Sequence, residues 1–437
     1  MVLFWFRRDL RLSDNAGLFR ALELGIPVQP VFIFDRSILD RLEDRTDARV
    51  QFIHGEVERL RNELQALGSN LWCGYGIPED IHRSWILEHP EIQGVFANRD
   101  YEPYARERDA RIEALYREGE RWFKGAKDHV VFEKSEVVKP DGLPYTVFTP
   151  YSRRWRAALE ANGIPSYPSE RLLDQGLRKS GPQNQVPSLE SMGFAPSSIP
   201  MPPKTWSHDT LVHYAQRRDI PSDEQGTTRL GLHLRFGTIS VRALLRAGLE
   251  ASETFVNELI WRDFYQMVLY HFPDSPKKAI KPAYDRIEWE SNEAHFAAWC
   301  EGQTGYPMVD AGMRQLNTTG YMHNRVRMVV ASFLTKHLLI DWRWGEAYFA
   351  QKLLDFDQAS NVGGWQWASG SGTDAAPYFR IFNPQSQLEK FDRKLEYVQK
   401  WVPEYGTPSY PNPIVDHAWA RQRCLERYKS GLGSTQD

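Results

Sequence analysis

The first part of the chain alternates short apolar runs with longer stretches in which apolar residues recur every three to four positions. The runs VLFWF, VQPVFIF, LWCGY and GVFANRD, with VVF as a weaker fifth, predict short buried strands. Residues 48–67 and 104–118 have the periodicity of helices with charged outer faces. This alternation predicts a doubly wound α/β domain built on a parallel sheet.

The second part of the chain has helical periodicity from about Thr205 onward, without alternating strand segments. Examples are residues 241–249, 253–270, 308–316 and 324–337. Between the two parts, SGPQNQVPSLESMGFAPSSIPMPPK is rich in Pro, Ser and Gly and predicts an irregular linker. The expected ranges are an α/β domain over residues 1–130, an interdomain linker over 131–204 and an all-α domain over 205–437.

Length, charge and cysteines exclude several protein classes. A chain of 437 residues is too long for one hydrophobic core, and it has no apolar run of membrane-spanning length. Cys73, Cys300 and Cys424 lie far apart without CxxC spacing, which argues against a metal site or a disulfide scaffold and predicts a cytoplasmic protein. With a net charge of −3, binding to nucleic acid requires a local basic patch.

Aromatic residues are unusually abundant: 15 Trp, 19 Tyr and 22 Phe make up 13% of the chain. This content suggests stacking or redox chemistry in addition to core packing. The stretch FDQASNVGGWQWASGSG is a candidate for such chemistry, because a glycine pair precedes two tryptophans that lie two residues apart. Gly-Gly weakens a helix, so we expect an irregular backbone here, which either turns or closely approaches another group.

Six sequence blocks together resemble, in order, those of the photolyase/cryptochrome family. They are FRRDLRLSDN, GTTRLGLHLRFGTIS, NELIWRDFY, TGYMHNRVRM, LLIDWRWGEAYF and NVGGWQWASGSGTDAAPYFRIFNP. They cover nearly the whole chain and look most like the class I cyclobutane pyrimidine dimer photolyases. The resemblance implies an α/β domain linked to an all-helical domain that binds FAD, although no GxGxxG follows the first strand.

The resemblance also implies which residues contact FAD. The matching residues are Tyr214, Thr227, Thr228, Arg229 and Leu230 around the phosphates, Arg327 and Asp355 beside the isoalloxazine ring, Asp357 near the ribose and adenine, and Asn361 facing flavin N5. Hydroxyl and backbone N–H groups at a helix start favour anions, and an arginine beside a reduced flavin stabilises its negative charge. Taken singly, a capped helix start, a structural salt bridge and a turn explain these residues equally well.

A second matching set lines the substrate cavity and its rim. The residues that match lesion contacts are Glu258, Trp261, Asn324, Met328 and Trp367, and those that match a phosphate-binding rim are Arg218, Arg262, Arg325 and Arg380. Two indoles can sandwich a flipped pyrimidine pair, and arginines at phosphates give salt-dependent affinity. For any one of these side chains, core packing or a solvated helix face is the simpler explanation.

Trp365, Trp342 and Trp289 match the three tryptophans that relay an electron from the surface to photoexcited flavin in this family. Indole is oxidisable, so closely packed rings provide stepping stones through the protein interior. For any one of these tryptophans, packing remains the alternative explanation.

The function implied by the resemblance is light-driven repair of DNA that carries pyrimidine dimers. The expected protein is a monomer without an obligate protein partner, not membrane-bound, cytoplasmic, and associated with the nucleoid when it binds DNA. Tyr104 and Ala105 stand where folate-binding relatives carry an Asn-Glu pair, so folate is not the expected antenna chromophore; a deazaflavin, FMN or no antenna at all stay open, and a second chromophore, where one is bound, is expected to be a deazaflavin or FMN. The alternatives are a cryptochrome-type blue-light photoreceptor without repair activity and a flavin electron-transfer protein that does not bind DNA.

Overall fold

The computed structural model of the protein describes residues 1–179, 185–375 and 377–433, and the chain forms two compact units. The first unit contains Met1–Glu136, Arg156–Thr205 and Leu230–Glu250; the second contains Val137–Trp155, Trp206–Arg229 and the chain from Ala251 onward. The units therefore differ from the three consecutive ranges expected from the sequence. Residues 180–184 of the expected linker lie outside the described residues.

The first unit is built on a five-stranded parallel sheet with the order β3-β2-β1-β4-β5. Its strands are β1 Val2–Phe6, β2 Val28–Asp35, β3 Trp72–Gly76, β4 Gly94–Asn98 and β5 Trp122–Ala126. Every residue of β1, β2 and β4 is buried, as expected for parallel strands covered on both faces. The predicted doubly wound α/β fold is confirmed.

The fifth strand differs from the one predicted by sequence. VVF, residues 130–132, is buried but lies outside any strand, and β5 is formed by WFKGA instead. β5 pairs only with β4 and is largely half-buried, so it tolerates Lys124 and Gly125 and carries a weak strand pattern. A short apolar run could not distinguish an edge strand from buried irregular chain.

Helices cover the sheet of the first unit and form most of the second. In chain order they are α1 Ala16–Leu22, α2 Arg36–Leu39, α3 Ala48–Ala66, α4 Pro78–Glu88, α5 Pro103–Glu118, α6 Phe148–Asn162, α7 Leu173–Gly176, α8 His208–Val212, α9 Tyr214–Arg217, α10 Gly231–Arg235, α11 Val241–Ala251, α12 Glu253–His271, α13 Glu293–Glu301, α14 Pro307–Thr319, α15 Asn324–Ser332, α16 Trp342–Lys352, α17 Gln358–Ser369, α18 Pro384–Phe391, α19 Glu396–Trp401 and α20 His417–Leu432. A π-helical turn, Phe333–His337, continues α15, so the helical pattern predicted over residues 324–337 is found in two forms.

The core of the second unit is made by the faces that α13 to α17 turn toward one another. Val330, Leu334, Trp342 and Trp365 are among its buried members. None of the helices in the described part of the chain is long and apolar enough to cross a membrane.

Candidate functional site: a cavity in the helical unit

A cavity of about 590 Å³ lies in the second unit, between α12, α15 and α17. Thirteen residues singled out from the sequence line it: Arg218, Glu258, Trp261, Arg262, Asn324, Arg325, Arg327, Met328, Asp355, Asp357, Asn361, Trp365 and Trp367. The structure thus brings the residues expected beside the flavin and those expected at the lesion to one cavity. Its volume is within the usual range for cofactor and ligand sites.

Helix α12 supplies one wall of the cavity. Ser252 caps its start by accepting a hydrogen bond from the backbone N–H of Phe255 at 3.4 Å. Glu258, Trp261 and Tyr265 follow at spacings of three and four residues, which places them on one helix face.

Glu258 forms an ion pair with Arg218 at this wall. Burial raises the pKa of Glu258, while the positive charge of Arg218 lowers it, and the net direction is upward. Arg218 also lies over the ring of Tyr214, with its guanidinium carbon 5.5 Å from the ring centroid. Arg218 therefore lines the cavity wall, and its predicted contact with a DNA phosphate stays a prediction.

Helix α15 supplies the opposite wall. His323 caps it by accepting from the backbone N–H of Arg325 at 3.2 Å, so Asn324 is its first residue and Met328 follows one turn later. Arg325 pairs with Asp219 at 2.8 Å. It is the second of the four predicted rim arginines that is held by a carboxylate.

The other two rim arginines differ in exposure. Arg262 lines the cavity and is half-buried. Arg380 is exposed and lines a second, small cavity together with Trp367.

A charge pair on the cavity wall joins two segments that sequence alone could not connect. Nη2 of Arg327 lies 2.9 Å and 3.1 Å from the two carboxylate oxygens of Asp355. Asp357, two residues later, caps α17 by accepting from the backbone N–H of Ser360 at 3.1 Å and accepts from Gln266 at 3.0 Å. Asp357 therefore has a structural role in addition to its place in the cavity lining.

The Gly-Gly-Trp-Gln-Trp stretch belongs to the regular helix α17, so the predicted irregular backbone is wrong. Gly363 faces α12, where an added Cβ would collide with the ring of Tyr265, whereas a Cβ at Gly364 would meet nothing within 4 Å. Residues two apart in an α-helix are rotated by about 200°, which turns Trp365 and Trp367 in different directions without any break in the helix. Trp365 is buried and Trp367 is half-buried.

Asn361 on α17 has a fixed amide orientation. Its Nδ2 donates to Oε1 of Glu346 at 2.9 Å and to the Glu346 backbone carbonyl at 3.1 Å. Its amide oxygen is therefore the group left for a donor in the cavity. Burial raises the pKa of Glu346.

The three predicted relay tryptophans belong to the helical unit. Trp342 begins α16 and is buried, whereas Trp289 lies in a loop and is half-buried. Trp365 contacts Phe349 and Trp299, with ring centroids 5.0 Å and 6.0 Å away. The electron relay itself stays a prediction.

The predicted phosphate contacts lie outside the cavity lining. Tyr214 is buried in α9, and Thr227 and Thr228 precede α10. Arg229 has a φ of 51° and lies over the ring of Tyr321, 5.0 Å from its centroid. Leu230 is buried and belongs to the first unit.

The cavity fits a flat, partly anionic cofactor. Gly364 leaves one side of α17 without a side chain, which is what close approach of a flat ring to a helix backbone requires. Arg327 and Asp355 supply a charged wall, and Asn361 supplies an acceptor. Among the described residues, no group of three or more His, Cys, Asp and Glu gathers in a way that could hold a metal ion.

Some residues of the site were not found from the sequence. Phe148 lines the cavity from a segment more than 100 positions before α12, and its ring stacks on Trp261. Tyr265 and Glu346 were also missed. The helical spacing of Tyr265 from Glu258 and Trp261 could have indicated it. No sequence signal pointed to Phe148 or Glu346.

The chain combines a parallel α/β unit with a helical unit whose cavity suits a flat cofactor. Two family models match the chain: "DNA photolyase" over residues 2–169 and "FAD binding domain of DNA photolyase" over residues 255–409. A deoxyribodipyrimidine photo-lyase from Synechococcus is 36% identical over 95% of this chain and 94% of its own length. The chain therefore belongs to the DNA photolyase family and binds FAD.

Solved structures agree with this assignment. A bacterial class III photolyase from Agrobacterium tumefaciens has a TM-score of 0.85 at 35% identity, covering 98% of this chain and 97% of its own. An archaeal photolyase from Sulfolobus tokodaii, solved with two FAD molecules, has a TM-score of 0.80 at 34% identity, covering 98% and 99%. A cryptochrome from Synechocystis has a TM-score of 0.82 at 25% identity, covering 98% of both chains.

Proposed function

We propose that this chain is a deoxyribodipyrimidine photo-lyase that uses light to split cyclobutane pyrimidine dimers in DNA. The observation that carries the proposal is the single cavity in which Arg327, Asp355 and Asn361 share walls with Glu258 and Trp261. A flavin and a flipped pyrimidine pair placed there would be neighbours. The named relatives, at about one third identity over nearly the full chain, support the same activity.

The residues on the flavin side would hold the cofactor and set its charge. Reduced FAD, when bound, supplies an electron under blue or near-ultraviolet light that splits the cyclobutane ring and then returns, so no net redox change occurs. Arg327 would stabilise negative charge on the bound flavin, and Asp355 holds its guanidinium in place. Asn361 presents an amide oxygen, a group without a readily lost proton.

The residues on the lesion side would receive the flipped dimer. Flipping costs a few kcal/mol, and less where the damaged bases already stack poorly. Trp261 and Trp367 offer indole faces for stacking. The Glu258 carboxyl, which its ion pair with Arg218 holds in place, lines the same cavity and would hydrogen-bond the base edges.

Blue-light sensing without repair is the second candidate, because a solved cryptochrome shares the fold. Its identity to this chain is 25%, against 35% for the class III photolyase. The lesion-side residues of the cavity also favour repair. The class I subtype, the antenna chromophore, the monomeric state and the cytoplasmic location stay predictions from the sequence.

The proposal is tested by mixing dithionite-reduced protein with an oligonucleotide that carries one thymine dimer, in light and in darkness. We expect intact thymines in light only. Glu258→Ala should lower the yield while FAD stays bound. Absence of repair by protein that retains photoreducible FAD would assign the chain to the photoreceptors.

A further inference from the structure

Phe148 makes the closest parallel ring contact at the cavity wall. Its ring centroid lies 3.8 Å from that of Trp261, with an angle of 2° between the planes. Phe264 packs against Trp261 in a T-shaped arrangement with ring centroids 5.6 Å apart, and Tyr265 lies tilted with its centroid 5.4 Å away. Phe148 therefore covers one face of the Trp261 indole.

The chain holds Phe148 in place from its backbone. The N–H of Phe148 donates to the Asp374 carboxylate at 3.2 Å, and the N–H of Asp374 donates to the carbonyl of Thr146 at 2.8 Å. Asp374 lies in the loop that follows α17 and has a φ of 49°. Two hydrogen bonds thus join the start of α6 and the residues before it to the loop that follows α17.

A second anchor fixes helix α6 against α12. Trp155 is fully buried and donates its indole N–H to Asp263 at 3.0 Å, two residues after Trp261. Phe148 and Trp155 are seven residues apart, so they lie on the same face of α6. The backbone at Phe148 is therefore held by its hydrogen bond to Asp374 and by a helix that is anchored two turns away, which fixes the position from which its ring reaches the indole.

We propose that Phe148 is a positioning residue for the lesion, which acts by fixing the indole plane of Trp261 before DNA arrives. A side chain ordered in advance loses less conformational entropy when the ligand binds. An indole whose orientation is already fixed can stack on the flipped dimer at once, whereas a mobile indole must first be ordered. The inference rests on the proposed function, because it concerns the binding of a pyrimidine dimer.

The test is a double-mutant cycle on the FAD-bound protein. Dissociation constants are measured in the dark for a dimer-bearing oligonucleotide and for its undamaged counterpart, in wild type, Phe148→Leu, Trp261→Ala and the double variant. Phe148→Leu keeps an apolar side chain but removes the flat ring. We expect about fivefold to tenfold weaker binding of dimer DNA, unchanged binding of undamaged DNA and unchanged FAD content. Phe148→Tyr, which restores a flat ring, should return affinity to within about twofold of wild type.

In the Trp261→Ala background, Phe148→Leu should cause no further loss, because its effect passes through the indole. An equal loss in both backgrounds would overturn the inference, and so would loss of FAD from Phe148→Leu. Tighter dimer binding by Phe148→Leu would also overturn it, since Phe148 would then occupy the place of the lesion. If wild type shows no preference for dimer DNA, the proposed function itself fails. If wild type prefers dimer DNA and Phe148→Leu binds it equally well, the proposed function stands and only the role of Phe148 fails.

Discussion

The two neighbouring glycines of α17 provide a matched pair of substitutions that locates the flavin. Gly363→Ala and Gly364→Ala make the same chemical change one residue apart in one helix. Each gains about 1 kcal/mol of intrinsic helix propensity. Only their surroundings differ: an added Cβ at Gly363 collides with Tyr265, whereas a Cβ at Gly364 has open cavity in front of it.

The expected effects on stability and on cofactor affinity are opposite. Overpacking at Gly363 costs about 1–3 kcal/mol, which offsets or exceeds the propensity gain, so this variant should be less stable and have normal FAD affinity once folded. Gly364→Ala should stabilise the protein without its cofactor by up to about 1 kcal/mol. Its methyl group stands where the flavin is placed, so FAD affinity should fall by about 1–3 kcal/mol, roughly 5–150-fold in dissociation constant.

Urea unfolding with and without saturating FAD, together with FAD titration by fluorescence, separates these effects. We expect a lower free energy of unfolding for Gly363→Ala and weaker FAD binding for Gly364→Ala. Unchanged FAD affinity in Gly364→Ala would refute the placement of the flavin against α17. A Gly363→Ala variant as stable as wild type would show that the Tyr265 ring moves aside, and that α12 and α17 do not pack tightly at this position.

Three further predictions concern other parts of the helical unit. Trp342→Phe should slow photoreduction of oxidised FAD and leave repair by pre-reduced protein nearly intact. Trp419→Phe, at an exposed tryptophan, is the control. Equal loss of photoreduction and repair in Trp342→Phe would contradict a separate relay. Arg380→Ala should lower the salt slope of DNA binding by about one, and Arg117→Ala should not; equal slopes would remove Arg380 from the phosphate contacts. Burial lowers the pKa of Lys336 from 10.5 to about 7, so between those values the unfolded chain binds a proton at this lysine that the folded protein does not, and the contribution of Lys336 to the free energy of unfolding should rise with pH. Lys336→Met should remove this contribution, so the difference in the free energy of urea unfolding between wild type and variant should change with pH across that range in favour of wild type, and a difference that stays constant with pH would contradict the shift.

Local patterns were sufficient to predict much of the fold. β1, β2 and β4 are apolar runs buried on both faces, and α3 and α12 have clear helical periodicity. β5 was missed because Lys124 and Gly125 interrupt the apolar run on which the prediction depended. The irregular backbone predicted at Gly363 and Gly364 was wrong because packing against α12 outweighs the weak helix propensity of glycine.

The cavity was predicted as a set of residue types, not as a set of contacts. Arg218 and Glu258 are 40 positions apart, and no local pattern indicates that they form an ion pair. The stacking of Phe148 on Trp261 depends on how α6 packs against α12, which periodicity does not specify. Such pairings arise from tertiary packing and become visible only in the folded chain.

The most direct test of the account is a count of dimers split per reduced flavin, under light and without further reductant. A fixed amount of reduced protein is illuminated anaerobically with excess dimer-bearing oligonucleotide, and restored thymines are counted against the flavin that remains reduced. The account predicts many dimers split per flavin, with the flavin still reduced, because the electron returns after each event. At most one dimer per flavin, with the flavin oxidised in proportion, would contradict electron return, and no dimers split would contradict repair altogether.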